Sequence, residues 1–194
     1  MSTTPLFIVT FWSALLIGSP VLGMSIDVQG DEVVMTGTVT GSECTQLTSV
    51  LDHSEIHTVM LTSSNGGNAN VGYCVGELIR ARHLNTVIRG NCSSSCSRMW
   101  LGGVSRTLEG SYSSVGLHGN YDEYGRLLPA APARLRAWIP SYAPVNRDLL
   151  EQWTVLPYNY QMMHFYNGKA MLCDRGSCAL MPGWNALKAG LSTQ

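Results

Sequence analysis

Val59-Met-Leu-Thr-Ser-Ser-Asn-Gly-Gly67 is the stretch whose reading decides the fold. Together with His57 and Thr58 it has the apolar and β-branched content of a buried strand, and it runs into a glycine pair that can turn with no side chain in the way. Beyond the turn, Val71, Val75, Leu78 and Ile79 recur every three to four residues, which predicts an amphipathic helix ending near Arg82-His83. Thr86 to Arg89 reads as a second strand, Cys92 to Leu101 as a second helix, and Gly102-Gly103 as its stop. Upstream, Ile26 to Val39 holds two β-rich runs split by Gly30-Asp31, a hairpin signal. Ser42-Glu43 then opens a helix with Leu47, Val50 and Leu51 on one face, where Ser42 or Thr45 can act as the cap. Downstream, Val115-Gly-Leu-His118 is a further strand. Strands alternating with helices in this way are the pattern of right-handed βαβ units, so an α/β layered fold is expected. Leu127 to Pro144 reads as an irregular excursion, Asn146 to Asn167 as a helical segment interrupted by Pro157, and Asn185 to Gly190 as a terminal helix.

With 194 residues, 45% of them hydrophobic, the chain can build one domain around a substantial core. Twelve Lys and Arg against 13 Asp and Glu leave a net charge of −1, which offers no long-range attraction for nucleic acid or an anionic membrane. Leu6 to Ile17 is an apolar run followed by Gly18-Ser-Pro20 and the small-residue ending Val21-Leu-Gly23. This is the pattern of a signal peptide over residues 1–23, leaving a mature domain over residues 24–194. Left uncleaved the segment would be a membrane anchor, but the run is shorter than the roughly 20 residues a spanning helix needs. An exported protein, periplasmic or extracellular, is therefore expected, and the even number of cysteines agrees with an oxidising compartment. Cys92-x-x-x-Cys96 and Cys173-x-x-x-x-Cys178 lack the paired knuckles of a zinc site, so no metal is expected and disulfides are. Candidates are Cys44, Cys74, Cys92, Cys96, Cys173 and Cys178, with the pairing open. Cys173 with Cys178 is favoured by the tight turn that Asp174-Arg175-Gly176-Ser177 can make.

A serine triplet is ordinarily a polar turn or a helix cap, but Ser94 stands where a strand gives way to a helix. There the free N–H groups of a first helical turn favour negative charge, as an attacking oxygen needs. The amides of Gly67 and Ser95 could then receive an oxyanion, and His118 could take the serine proton. Ser93 and Ser95 are the alternative nucleophiles. His53 and His57 read as solvated side chains, His83 as a helix C-terminal residue and His164 as helix-surface packing. Asn91-Cys-Ser93 matches a glycosylation sequon by chance. The chain carries no P-loop, dinucleotide fingerprint, G-x-S-x-G elbow or HExxH motif.

Leu61 to Gly67, the helix after it, the Ser94 turn, Gly102-Gly103 and Val115 to His118 together resemble the proteolytic subunit of Clp protease and its exported relatives, in the ClpP/crotonase superfamily. The resemblance covers roughly Val33 to Leu191, by order of elements and motif spacing. It implies a single domain of repeated ββα units in a layered spiral. It also implies a nucleophile at the head of a helix with its base about two dozen residues on, and Ser94 and His118 are 24 positions apart. Choosing Ser94 aligns Gly103 with the glycine that ends the family's helix. Counting back from Trp184 to Leu191, which resembles the family's helix ending in Gly-Leu, lands on Asp174 as the residue that orients His118. Cys92 and Cys96 depart from the pattern, standing where the family has small residues around its serine. The function implied is that of an exported serine peptidase that acts on peptide or protein substrates without a cofactor, in a chain able to form a homo-oligomer. Two other readings compete with it: a non-catalytic exported binding or assembly module, and acyl-CoA chemistry on the crotonase scaffold.

Overall fold

The structure, a computed structural model, describes residues 23–194, so the expected leader lies outside the described residues except for Gly23. β1 (Ser25–Gln29) and β2 (Glu32–Thr36) form a hairpin closed at Gly30, whose φ of 66° suits glycine. α1 (Glu43–His53) buries Leu47 and Leu51 and leads into β3 (Thr58–Ser64), which lies parallel to β2. α2 (Ala69–Ala81) starts at Asn68, whose side chain accepts hydrogen bonds from the Asn70 and Val71 amides. It buries Val71, Val75 and Ile79, the periodic positions of the sequence. β4 (Asn85–Ser93) pairs parallel with β3 and runs longer than Thr86 to Arg89. The short helix α3 (Ser95–Leu101) follows, every residue of it buried.

Beside β4 lie β5 (Arg106–Leu108), along its first half, and β6 (Ser114–Leu117), along its last residues, both parallel to it. β7 (Met162–Phe165), β8 (Ala170–Asp174) and β9 (Ser177–Leu180) then extend the sheet in antiparallel fashion from β6. The order among the described residues is β1-β2-β3-β4-β6-β7-β8-β9, with β5 branching from β4. A single apolar core joins Val59, Leu61 and Ile88 of the strands to Val75 and Ile79 of α2 and to Met99 and Trp100 of α3. The βαβ expectation holds through this parallel half.

Three readings from the second half differ. The excursion from Leu127 contains a helix, α4 (Ala131–Trp138), with a proline in its first turn, where a missing N–H costs nothing. The segment from Asn146 to Asn167 is helical only over α5 (Arg147–Thr154); after Pro157 it becomes β7, because pairing with β6 satisfies its backbone. Asn185 to Gly190 is not a regular helix but a set of hydrogen-bonded turns, with Ala189 N–H bonded to Asn185 O and Gly190 N–H to Leu187 O.

All six cysteines are bridged, as Cys44–Cys74, Cys92–Cys96 and Cys173–Cys178. No helix of the described residues is long and apolar enough to cross a membrane.

Candidate active site

Ser94 sits at the break between β4 and α3 with φ 57° and ψ −124°, a backbone conformation costly for a residue with a side chain. Several bonds hold it there. Its N–H donates to Gly116 O on β6 at 3.0 Å, while its own carbonyl accepts from the Ser97 amide at 3.0 Å and from Ser97 Oγ at 2.6 Å. The Cys92–Cys96 disulfide closes the turn from both sides, with both cysteines fully buried. The Ser94 hydroxyl itself makes no hydrogen bond among the described residues.

The glycine pair leaves β3 on the other side of this turn. A Cβ on Gly66 would lie 2.6 Å from Ser94 Cβ and 2.8 Å from the Ser95 nitrogen, so only glycine lets the two backbones approach so closely. Gly67, at φ 143°, is equally restricted, since a Cβ there would lie 2.1 Å from Val39 O. The turn is pinned from Val39, whose N–H donates to Gly66 O at 2.9 Å and whose carbonyl accepts from Asn68 at 2.8 Å. Neither the Gly67 nor the Ser95 N–H has a hydrogen-bond partner among the described residues.

His118 follows β6 and is 6% exposed, its ring tilted against Tyr121 at 4.8 Å. Neither ring nitrogen has a hydrogen-bond partner among the described residues. Burial pushes its pKa down to about 3, and the nearby Arg98 guanidinium pushes the same way. The backbone of Gln161 and Asn159 faces the ring without completing a hydrogen bond and offsets only part of this. Ser94 and His118 line one cleft of about 680 Å³, which Gly67 also borders. Their side chains are not hydrogen-bonded to each other here.

Solved structures share this arrangement of elements. The membrane-bound stomatin-specific protease 1510-N aligns with a TM-score of 0.53 and 15% identity, over 82% of this chain and 75% of its own. ClpP1 from Listeria monocytogenes aligns with a TM-score of 0.53 and 13% identity, over 84% and 88%. An enoyl-CoA hydratase from Mycobacterium avium subsp. paratuberculosis K-10 aligns with a TM-score of 0.52 and 14% identity, over 90% and 68%. The fold is that of ClpP and the crotonases. No family model matches the sequence, and no curated protein matches it.

On this ClpP/crotonase scaffold Asp174 does not meet His118. It ends β8 at the turn into β9, where the Cys173–Cys178 bridge closes the hairpin and carries the carboxylate to an exposed tip. There it accepts a hydrogen bond from Gln161 Nε2 at 3.0 Å. Counting along the sequence placed Asp174 near the site, but the hairpin's register turns it away.

Behind His118 stands a guanidinium instead. Arg98, one turn into α3 and 2% exposed, donates to His118 O and Gly119 O at 3.4 Å and to Asn120 Oδ1 at 2.6 Å. Its guanidinium also lies 5.4 Å from the centre of the Tyr73 ring, and Asn120 Nδ2 donates to the Tyr73 hydroxyl. A helical arginine is ordinarily solvated, so nothing in the sequence marked it. His164 lines the cleft too, from a strand rather than a helix surface. Met163 and Phe165 are buried on its other face, but four residues are too few in the sequence to mark a strand, and pairing with β6 makes it one. Among the described residues no group of three or more His, Cys, Asp or Glu side chains could hold a metal ion.

Proposed function

We propose that the chain is an exported serine hydrolase, most simply a peptidase, in which Ser94 Oγ attacks a substrate carbonyl and His118 takes the hydroxyl proton. The carbonyl oxygen that becomes negative is received by the Gly67 and Ser95 amides, and His118 then gives its proton to the leaving amine. Water later releases the acyl group from Ser94. The observation that carries this reading is a serine held in a costly backbone conformation, sharing one cleft with a buried imidazole that has no partner among the described residues. The likeness to proteases supports it at the level of fold, and a gap between serine and base is common before substrate is bound. Asp174 enters at most through Gln161. Three disulfides support export, a peptide or protein is the partner this chemistry needs, and self-association belongs to the same reading.

Acyl-CoA chemistry is disfavoured because no lysine or arginine of the described residues lines the cleft to meet the phosphates of such a substrate. One observation favours the non-catalytic binding module: burial, with Arg98 adding to it, makes a protonated His118 costly. A fluorophosphonate probe decides between catalysis and binding. Covalent labelling is expected at Ser94 by peptide mass mapping, absent in Ser94→Ala. An unlabelled, folded chain that also hydrolyses no peptide or ester would leave the binding module.

A further inference from the structure

His164 has no place in the mechanism above, yet it stands on the floor of the same cleft. On β7 it pairs in register with Gly116 of β6, which itself pairs with Ser93 of β4, so one row of residues crosses the sheet beneath Ser94. Side chains alternate faces along a strand, and Met163 and Phe165 point into the core, which sends His164 and Met162 to the cleft face. Gly116 leaves that row open. A Cβ there would lie 2.4 Å from both Ser93 Oγ and Met162 Sδ. His118 follows Gly116 by two residues, and the His164 ring is close enough for its charge to act on His118.

Most polar groups lining the cleft are already committed. The Asn91 carboxamide donates to Ser64 O and accepts from Ser93 Oγ. Asn120 is held by Arg98 and Tyr73, and the Tyr121 hydroxyl lies between Gly119 N–H and Leu156 O. Asp122 pairs with Arg126, and Tyr160 accepts from Arg175. Away from the exposed carboxamides at the mouth, the uncommitted polar side-chain groups of the cleft among the described residues are the Ser94 hydroxyl and the two imidazoles, beside the free Gly67 amide. His164 Nδ1 is buried without a partner, while Nε2 is not shut away and makes no hydrogen bond among the described residues.

We propose that His164 is a substrate-binding residue, whose ring nitrogen hydrogen-bonds a carboxamide, hydroxyl or carboxylate side chain of the peptide next to the bond that Ser94 attacks. The peptide and the bond are those of the hydrolase reading, on which this rests. With Ser93 Oγ committed to Asn91 and Gly116 and Met162 beside it, the His164 imidazole penalises an apolar side chain, which would leave it covered and unpaired.

The test uses the Ser94→Ala chain, which cannot turn over, and blocked hexapeptides that differ at one position: Asn, Gln, Ser, Glu or Leu. Dissociation constants come from calorimetry, and the His164 ring proton is followed by NMR. The polar peptides are expected to bind about tenfold more tightly than the Leu peptide and to shift the His164 resonance. His164→Leu should erase the preference, and His164→Gln, which keeps a hydrogen-bonding group, should retain part of it. Equal affinities, no binding of any peptide, or a preference that survives His164→Leu would each overturn the proposal. Fluorophosphonate labelling of the unaltered chain separates the two readings. Labelling without side-chain preference removes only the role of His164, and preference without labelling keeps that role and removes the hydrolase.

Discussion

Burying an unpaired imidazole beside a guanidinium has a thermodynamic signature that needs no substrate to detect. The folded chain holds the His118 pKa at about 3, against 6.5 for a free imidazole, so on acidification the unfolded chain binds a proton at this position while the folded chain does not. The associated stability is complete above the ordinary value and is lost as pH falls through the interval down to about 3. Well inside that window the slope approaches about 1.4 kcal/mol per pH unit. Integrated from pH 7 to pH 5, the loss from this one group is about 2 kcal/mol. His164, also lowered by burial, and Glu43 and Asp122, lowered by the hydrogen bonds they accept, contribute slopes of their own, so the wild-type curve sums several effects. His118→Gln removes only this titration. Urea unfolding with the disulfides intact, at pH 7, 6 and 5, should show the gap between wild type and variant shifting by about 2 kcal/mol in the variant's favour as pH falls. Parallel stability curves for the two proteins would refute the argument, because they would mean that the His118 environment is open to water or holds a compensating anion.

The same shift sets the rate profile. Because His118 is already neutral, hydrolysis of an uncharged ester should be flat from pH 8 to pH 5 on the side governed by the base, and a fall centred near 6.5 would show an ordinary imidazole. Gly67→Ala places a Cβ 2.1 Å from Val39 O at a φ of 143°, so it should cost about 1–3 kcal/mol in thermal denaturation and lower kcat by about 100-fold or more. An unchanged kcat would remove Gly67 from the oxyanion hole. Replacing Cys44 and Cys74 by alanine opens a bridge with a sequence separation of 30 and should cost about 3–4 kcal/mol, against about 2 for the Cys92–Cys96 pair, whose separation is 4. Urea midpoints of the two double variants in the reverse order would count against the loop-closure account.

The parallel half of the fold was legible because its signals are local and mutually consistent. Val71, Val75 and Ile79 fix a helix by period, Gly66-Gly67 end the strand before it, and the serine turn falls where the next strand stops. Beyond Gly119 the deciding interactions are distant in sequence. Met162 to Phe165 is too short to declare itself a strand and becomes one by pairing with β6, nearly fifty residues earlier. Asp174 was placed by counting, which takes no account of a disulfide-closed hairpin tip. Arg98 looks like any charge on a helix, and only the carbonyls of His118 and Gly119 closing over it show why it is buried.

That arginine gives α3 two duties within seven residues. The Ser94 turn is fastened to the start of the helix, and the guanidinium that grips the backbone at His118 leaves the helix one turn later. A shift of α3 against the sheet would therefore move Ser94 and the backbone of His118 in the same direction, and their spacing rests on one small, fully enclosed rod together with the Gly116 carbonyl that ties Ser94 to β6.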